Sequence, residues 1–181
     1  SQRMPISVME SVVSNAERRA LRMGSDEIVP RISDVYAALP AVTGKIELEY
    51  EGELVGAAAI ARDLIRRASD AVFRDRAGTV NLDDIILWFE DGAALQVTDE
   101  LDASVLVKAF DVVPGLTQLV HRVGLAAPGD TPVTAAACEL VLESLVARRK
   151  ISRSDAGHYG RAPQERRARG GQQDFGGGLS A

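Results

Sequence analysis

The feature that most restricts this chain is the spacing of its apolar residues. They recur three and four positions apart through most of the first 147 residues, in runs that stop at glycine or proline. That period belongs to a helix, where side chains three and four apart share a face. From Pro5 to Met23, residues Met9, Val12, Val13, Ala16, Ala20 and Met23 fall on one side, with Glu10, Ser14, Glu17, Arg18 and Arg22 mostly opposite. Pro5 suits the first turn, where a backbone N–H has no partner, and Gly24 suits the left-handed position past the end.

The same reading predicts a succession of helices. Pro30 starts a short one that directs Ile32, Val35, Tyr36 and Leu39 inward, and Pro40 to Gly44 ends or kinks it. A long helix is predicted over Leu54 to Arg74, with Ala57, Ile60, Ala61, Leu64, Ala68, Ala71 and Val72 on its buried stripe. Asp63 with Arg67 and Asp70 with Arg74 are spaced to pair on its wet side. Asn81 caps a helix holding Ile85, Ile86, Trp88 and Phe89, closed by Gly92. Two more are predicted over about 102–111 and 114–123. A last one has Thr131 as cap, Pro132 in the first turn, and Ala137, Leu140, Val141 and Leu145 within.

Two stretches break the period. In KIELEYEGE, Ile46, Leu48 and Tyr50 alternate with glutamates, which predicts one short strand or hairpin near 45–51. After about Lys150 the pattern dissolves into a basic Gly- and Arg-rich tail with little to bury. The tail is expected to be disordered, and trimming after about residue 157 to leave thermal stability unchanged. The fold class is therefore mainly α, in three regions: 1–52, 53–150 and the tail 151–181.

Charge and cysteine content exclude several functions. Residues 1–147 carry 13 Lys and Arg against 23 Asp and Glu, whereas residues 148–181 carry 8 against 3. An acidic body argues against a nucleic-acid groove, whose affinity comes from clustered positive charge. One cysteine, Cys138, allows no intrachain disulfide and no thiolate zinc site. No apolar run approaches the roughly 20 residues that span a bilayer, and no signal sequence opens the chain. The expected setting is cytoplasmic, with no membrane and no nucleic-acid partner.

Catalytic motifs are scarce. There is no G-x-x-x-x-G-K-[ST] loop, and Gly44-Lys45 lacks both the glycine five places earlier and the hydroxyl after it. Glutamates 47, 49, 51 and 53 spread along a line instead of converging on a cation, so they read as a solvated face. His121 and His158 lack a second ligand at metal spacing, and Cys138 reads as a small buried residue. Arg3 stands out. At the start of a helix, a forked cation beside backbone N–H groups is suited to an incoming polyphosphate.

These residues resemble a known family. The segment SQRMPISVMESVVSNAERRALRMGSDEIVPRISDVYAALPAVTGKIELEYEGE is similar to the C-terminal lid of AAA+ ATPases of the magnesium chelatase ATPase-subunit and MoxR-like group. The resemblance covers about residues 1–76 and fades over 77–150. In that group a Ser-x-Arg segment opens the first lid helix, and its arginine, sensor 2, reaches the terminal phosphates of the nucleotide. Ser1-Gln2-Arg3 matches it, so Arg3 is the one nucleotide-binding residue the resemblance assigns here. No catalytic residue and no metal ligand are assigned. The phosphate-binding loop, the magnesium-binding segment, sensor 1 and the arginine finger are absent from this chain. The resemblance together with the start at Ser1 leads us to expect a C-terminal portion of a longer ATPase that uses ATP and Mg2+ and assembles in a ring. Its expected work is remodelling a client or von Willebrand-type partner protein, or inserting metal into a porphyrin. Two other readings are a free-standing helical interaction module and a fragment of a sigma-factor-dependent transcriptional activator. The latter would want a recognition helix after VLESLVARRKISRSDAG, and none is evident.

Overall fold

The computed structural model describes residues 3–43 and 56–163, and it is mainly helical with one small antiparallel sheet. The strand predicted near 45–51 and the last part of the tail lie outside the described residues. Helix α1 (Arg3–Met23) is followed by two short helices, α2 (Ile32–Ala37) and α3 (Leu39–Thr43). Next come α4 (Ala57–Ala77), α5 (Asp83–Glu90), strand β1 (Leu95–Gln96), α6 (Ala103–Phe110), α7 (Leu116–Arg122) and α8 (Thr131–Ala147). The hairpin β2 (Ile151–Arg153) and β3 (His158–Arg161) completes the order.

Helix α8 is the axis of the molecule. Eleven of its side chains from Thr134 to Val146 are buried, on every face, because α4, α6, α7, α2 and β2 all pack against it. Asp130 caps it by accepting a bond from the Val133 N–H at 3.1 Å, one residue ahead of the expected Thr131, and Pro132 sits in the first turn as expected. Helix α4 meets the core through Ala61, Ile65, Ser69 and Phe73. This strict four-residue line differs from the predicted stripe: Leu64 and Val72 are half exposed, and Ala68 and Ala71 face solvent. A straight ridge of alternating small and large residues lets two helices approach closely, and the apolar residues left over make a second, outer stripe.

The region 151–161 corrects the expectation of a tail without structure. It folds as a hairpin whose β3 lies at the centre of a three-stranded sheet, pairing Leu95 with Tyr159 on one side and Arg153 with Tyr159 on the other. The turn out of α8 makes this possible. Lys150 N–H donates to Leu145 O and Arg149 N–H to Val146 O, with Arg149 in the left-handed region at φ 58°. That is the hydrogen-bond pattern of a glycine-terminated helix built on an arginine, so no glycine marks it in the sequence. Ile151 and Tyr159 are almost fully buried, so the hydrophobic core continues past residue 150.

Candidate functional site

Two carboxylates one turn apart on α8, Glu139 and Glu143, are the most deeply buried charges among the described residues, and each is met by arginine from another element. Arg31, just before α2, donates from Nε to Glu139 Oε1 at 2.6 Å. Its two other nitrogens donate to Leu101 O at 3.0 Å and Thr98 O at 2.9 Å. The guanidinium fork is thus used on three sides, in a pair whose side chains are 2% and 1% exposed. Burial pushes the Glu139 carboxyl above the usual carboxylate range, and the Arg31 charge pulls the other way.

The start of α2 is fixed by a second set of charges. Asp34 accepts from the Arg31 N–H at 2.8 Å, closing the first turn of the helix, and is itself held by Arg19 of α1 at 2.8 Å. Arg19 also donates to Val29 O, and Asn15 Nδ2 donates to Asp34 O. Through Arg19, Asp34, Arg31 and Glu139 a continuous polar path runs from α1 to α8.

Around Glu143 lies a hydroxyl and arginine cage. Tyr36 donates to Oε1 at 2.5 Å and Tyr159 to Oε2 at 3.2 Å. Arg153 and Arg66 stand at 3.7 Å and 3.9 Å, close enough for charge pairing and beyond hydrogen-bond distance. The Arg153 guanidinium stacks on the Tyr36 ring, 3.9 Å from its centroid. Burial and the neighbouring Glu143 charge raise the pKa of both phenols, so each stays a proton donor toward the carboxylate.

In front of this cage opens a cleft of about 380 Å³ between α2, α4, the segment after β1 and the hairpin turn. Ser33, Tyr36, Arg62 and Arg153 line it, with Asp99 and Asp155 at its margin. Arg62 pairs with Asp155 at 3.1 Å, and Asp99 pairs with Arg22 at 2.7 Å. The turn that brings Arg153 and Asp155 here needs Gly157: at φ +76° its backbone passes so close to Val97 that a Cβ would stand 2.0 Å from the Val97 carbonyl oxygen.

Arg3, the residue the resemblance assigns, occupies the first position of α1 and is exposed; it is not among the residues lining this cleft. The structure therefore brings together residues that sequence reading passed over. The signal for them was present: Glu139 and Glu143 are carboxylates four apart in an otherwise apolar helix, a spacing that puts both on one face of a buried element. Cys138 is buried as expected, and burial raises its thiol pKa. His121 shares a hydrogen bond with Thr134, and His158 one with Gln96. Among the described residues no group of three His, Cys, Asp or Glu is placed to hold a metal. No helix of the described residues is long and apolar enough to cross a membrane. Comparisons with protein-family models, with curated proteins and with solved structures find no match.

Proposed function

We propose that this chain is the helical lid and C-terminal extension of a cytoplasmic AAA+ ATPase of the magnesium chelatase ATPase-subunit and MoxR-like group, in which Arg3 contacts the terminal phosphates of ATP held by a separate nucleotide-binding domain. The supporting observation is at the start of α1. Arg3 is exposed in the first helical position, and the same half of the helix leaves Ile6, Met9 and Val13 uncovered, Met9 at 63% exposure. A docked neighbouring domain would bury that face and bring phosphate to the positive end of the helix. There the guanidinium supplies two parallel donors to an oxyanion, which matters most as charge shifts during phosphoryl transfer. ATP, with Mg2+, supplies the energy when bound. This chain's part is to grip the phosphates and carry the resulting movement to a client through its helical body, with the subunits arranged in a ring.

The test is ATP hydrolysis by the longer protein. Loss of a hydrogen bond to a charged group is worth about 1.5–3 kcal/mol, so Arg3→Ala should slow turnover by roughly 10- to 100-fold while the thermal midpoint stays in place. The chain alone, which has no phosphate-binding loop, should show no turnover. Normal hydrolysis by Arg3→Ala would reject the assignment.

A further inference from the structure

We propose that the cleft between α2, α4 and the β2–β3 turn is a binding site for a small oxyanion, a phosphate or carboxylate group of a small molecule, held by Arg153, Arg62 and Ser33. This site is separate from Arg3 and does not depend on the ATPase reading.

Three observations converge on it. The first is unused hydrogen-bonding capacity. The Arg153 side chain is 8% exposed, yet its Nε has no hydrogen-bond partner among the described residues, and neither has the buried hydroxyl of Ser33. Buried donors in folded proteins are nearly always paired. Arg153 Nε is turned toward Glu143 Oε2 at 3.7 Å, so the orphan that marks this cleft as a place for an acceptor is the Ser33 hydroxyl, with Arg153 also in the lining.

The second is charge. Four guanidinium groups (Arg22, Arg62, Arg66 and Arg153) stand in or against the cleft and its rear wall, facing three carboxylates, Asp99, Glu143 and Asp155. Glu100 adds a further negative charge near Arg22, so there is no net positive excess, and of the guanidiniums lining the cleft Arg153 is the one that no carboxylate at the mouth engages. The carboxylates at the mouth are already engaged, Asp99 by Arg22 and Asp155 by Arg62. Glu143 accepts from the two tyrosine hydroxyls. Asp155 is largely exposed, so an incoming anion can share or replace it on Arg62 at little cost, since exposed ion pairs contribute about 0–1 kcal/mol.

The third is preorganisation. The Arg153 plane is clamped against the Tyr36 ring, and the hairpin that carries it is fixed by the Gly157 turn. A guanidinium already locked in place loses little rotamer freedom when a ligand arrives. The volume of about 380 Å³ suits a small molecule carrying the anionic group.

The full chain should be titrated with inorganic phosphate and, separately, with succinate, at constant ionic strength, following backbone amide signals by NMR. The expected result is saturable shifts at Ser33, Arg153 and Gly157 with a Kd on the order of 1 mM or tighter for at least one of the two. The tighter of the two probes identifies the group the site prefers. Arg62→Gln and Ser33→Ala, which leave the buried cage intact, should each weaken binding, Arg62→Gln by about tenfold. Absence of a saturable shift with both probes would overturn the proposal. So would affinity that is unchanged in both variants while their circular dichroism matches the parent chain.

Discussion

At the scale of single residues, the charges inside this protein are worth more to it than those outside. Asp63–Arg67 pairs on the surface of α4, as its spacing predicted, but both side chains are more than half exposed and such pairs contribute little. Arg31–Glu139 is different, because removing one partner strands the other where water cannot reach it. Glu139→Ala should destabilise the fold by about 3–5 kcal/mol in urea unfolding. Pairing it with Arg31→Met should recover part of the loss, because the stranded charge is then gone.

Asp70 gives a pH test. Burial works against its ionised form, but hydrogen bonds from Arg148 and Ser144, with the charges of Arg148 and Arg74, outweigh burial and lower its pKa. A carboxyl whose folded pKa lies below its unfolded one stabilises the fold above the unfolded value, about 3.9, and loses that contribution as pH falls through the folded one. Unfolding midpoints measured down from pH 5 should therefore fall more steeply in the parent chain than in Asp70→Asn, with the difference concentrated below about pH 4. Parallel acid limbs would remove Asp70 from the pH response.

At the scale of elements, the hairpin after α8 belongs to the core. Tyr159 is almost wholly buried, pairs across both neighbouring strands and donates to Glu143, so a chain ending before His158 loses the centre of the sheet and one wall of the cage. Such a truncation should lower stability by at least the roughly 3–5 kcal/mol that deletion of a buried aromatic costs. Gly157→Ala should cost about 1–3 kcal/mol from overpacking alone. Both are read by thermal unfolding, and an unchanged midpoint on truncation would return this segment to the status of a tail.

Much of the helical layout was legible in the sequence, for a physical reason. The end of α1 at Gly24, the Asn81 side chain accepting from the Asp83 N–H, and Pro132 in the first turn of α8 are all local backbone chemistry, and local chemistry leaves local marks. The face each helix buries depends on its partner, and there the reading failed. On α1 only Ala16 and Ala20 are buried, although Met9 and Val13 lie on the same stripe. On α4 the buried line passes through Ser69 and leaves out Leu64, because α8 approaches along it. The cleft was harder still to see, since Ser33, Arg62 and Arg153 are far apart in the chain and ordinary in composition. Only the antiparallel return of β3 and the left-handed Arg149 bring Arg153 to α2.

At the scale of the whole molecule, helices α1–α3 and α8 are joined by buried polarity as well as by apolar contact. Arg19 links α1 to Asp34 of α2, Arg31 carries the connection to Glu139 of α8, and Tyr36 repeats it one turn along at Glu143. A buried, hydrogen-bonded charge path holds the geometry of such a joint in a way that a sliding apolar contact does not. It follows that α1–α3 and α8 should unfold as one cooperative unit.

Native-state hydrogen exchange measures this most directly. In the parent chain the slowest amides of α1 and α2 should open with the same free energy as those of α8, and in Glu139→Ala the α1–α3 amides should lose protection first while α8 keeps most of its own. If α1–α3 instead exchange far faster than α8 in the parent chain, and Glu139→Ala leaves that gap unchanged, the charge path does not couple the two parts.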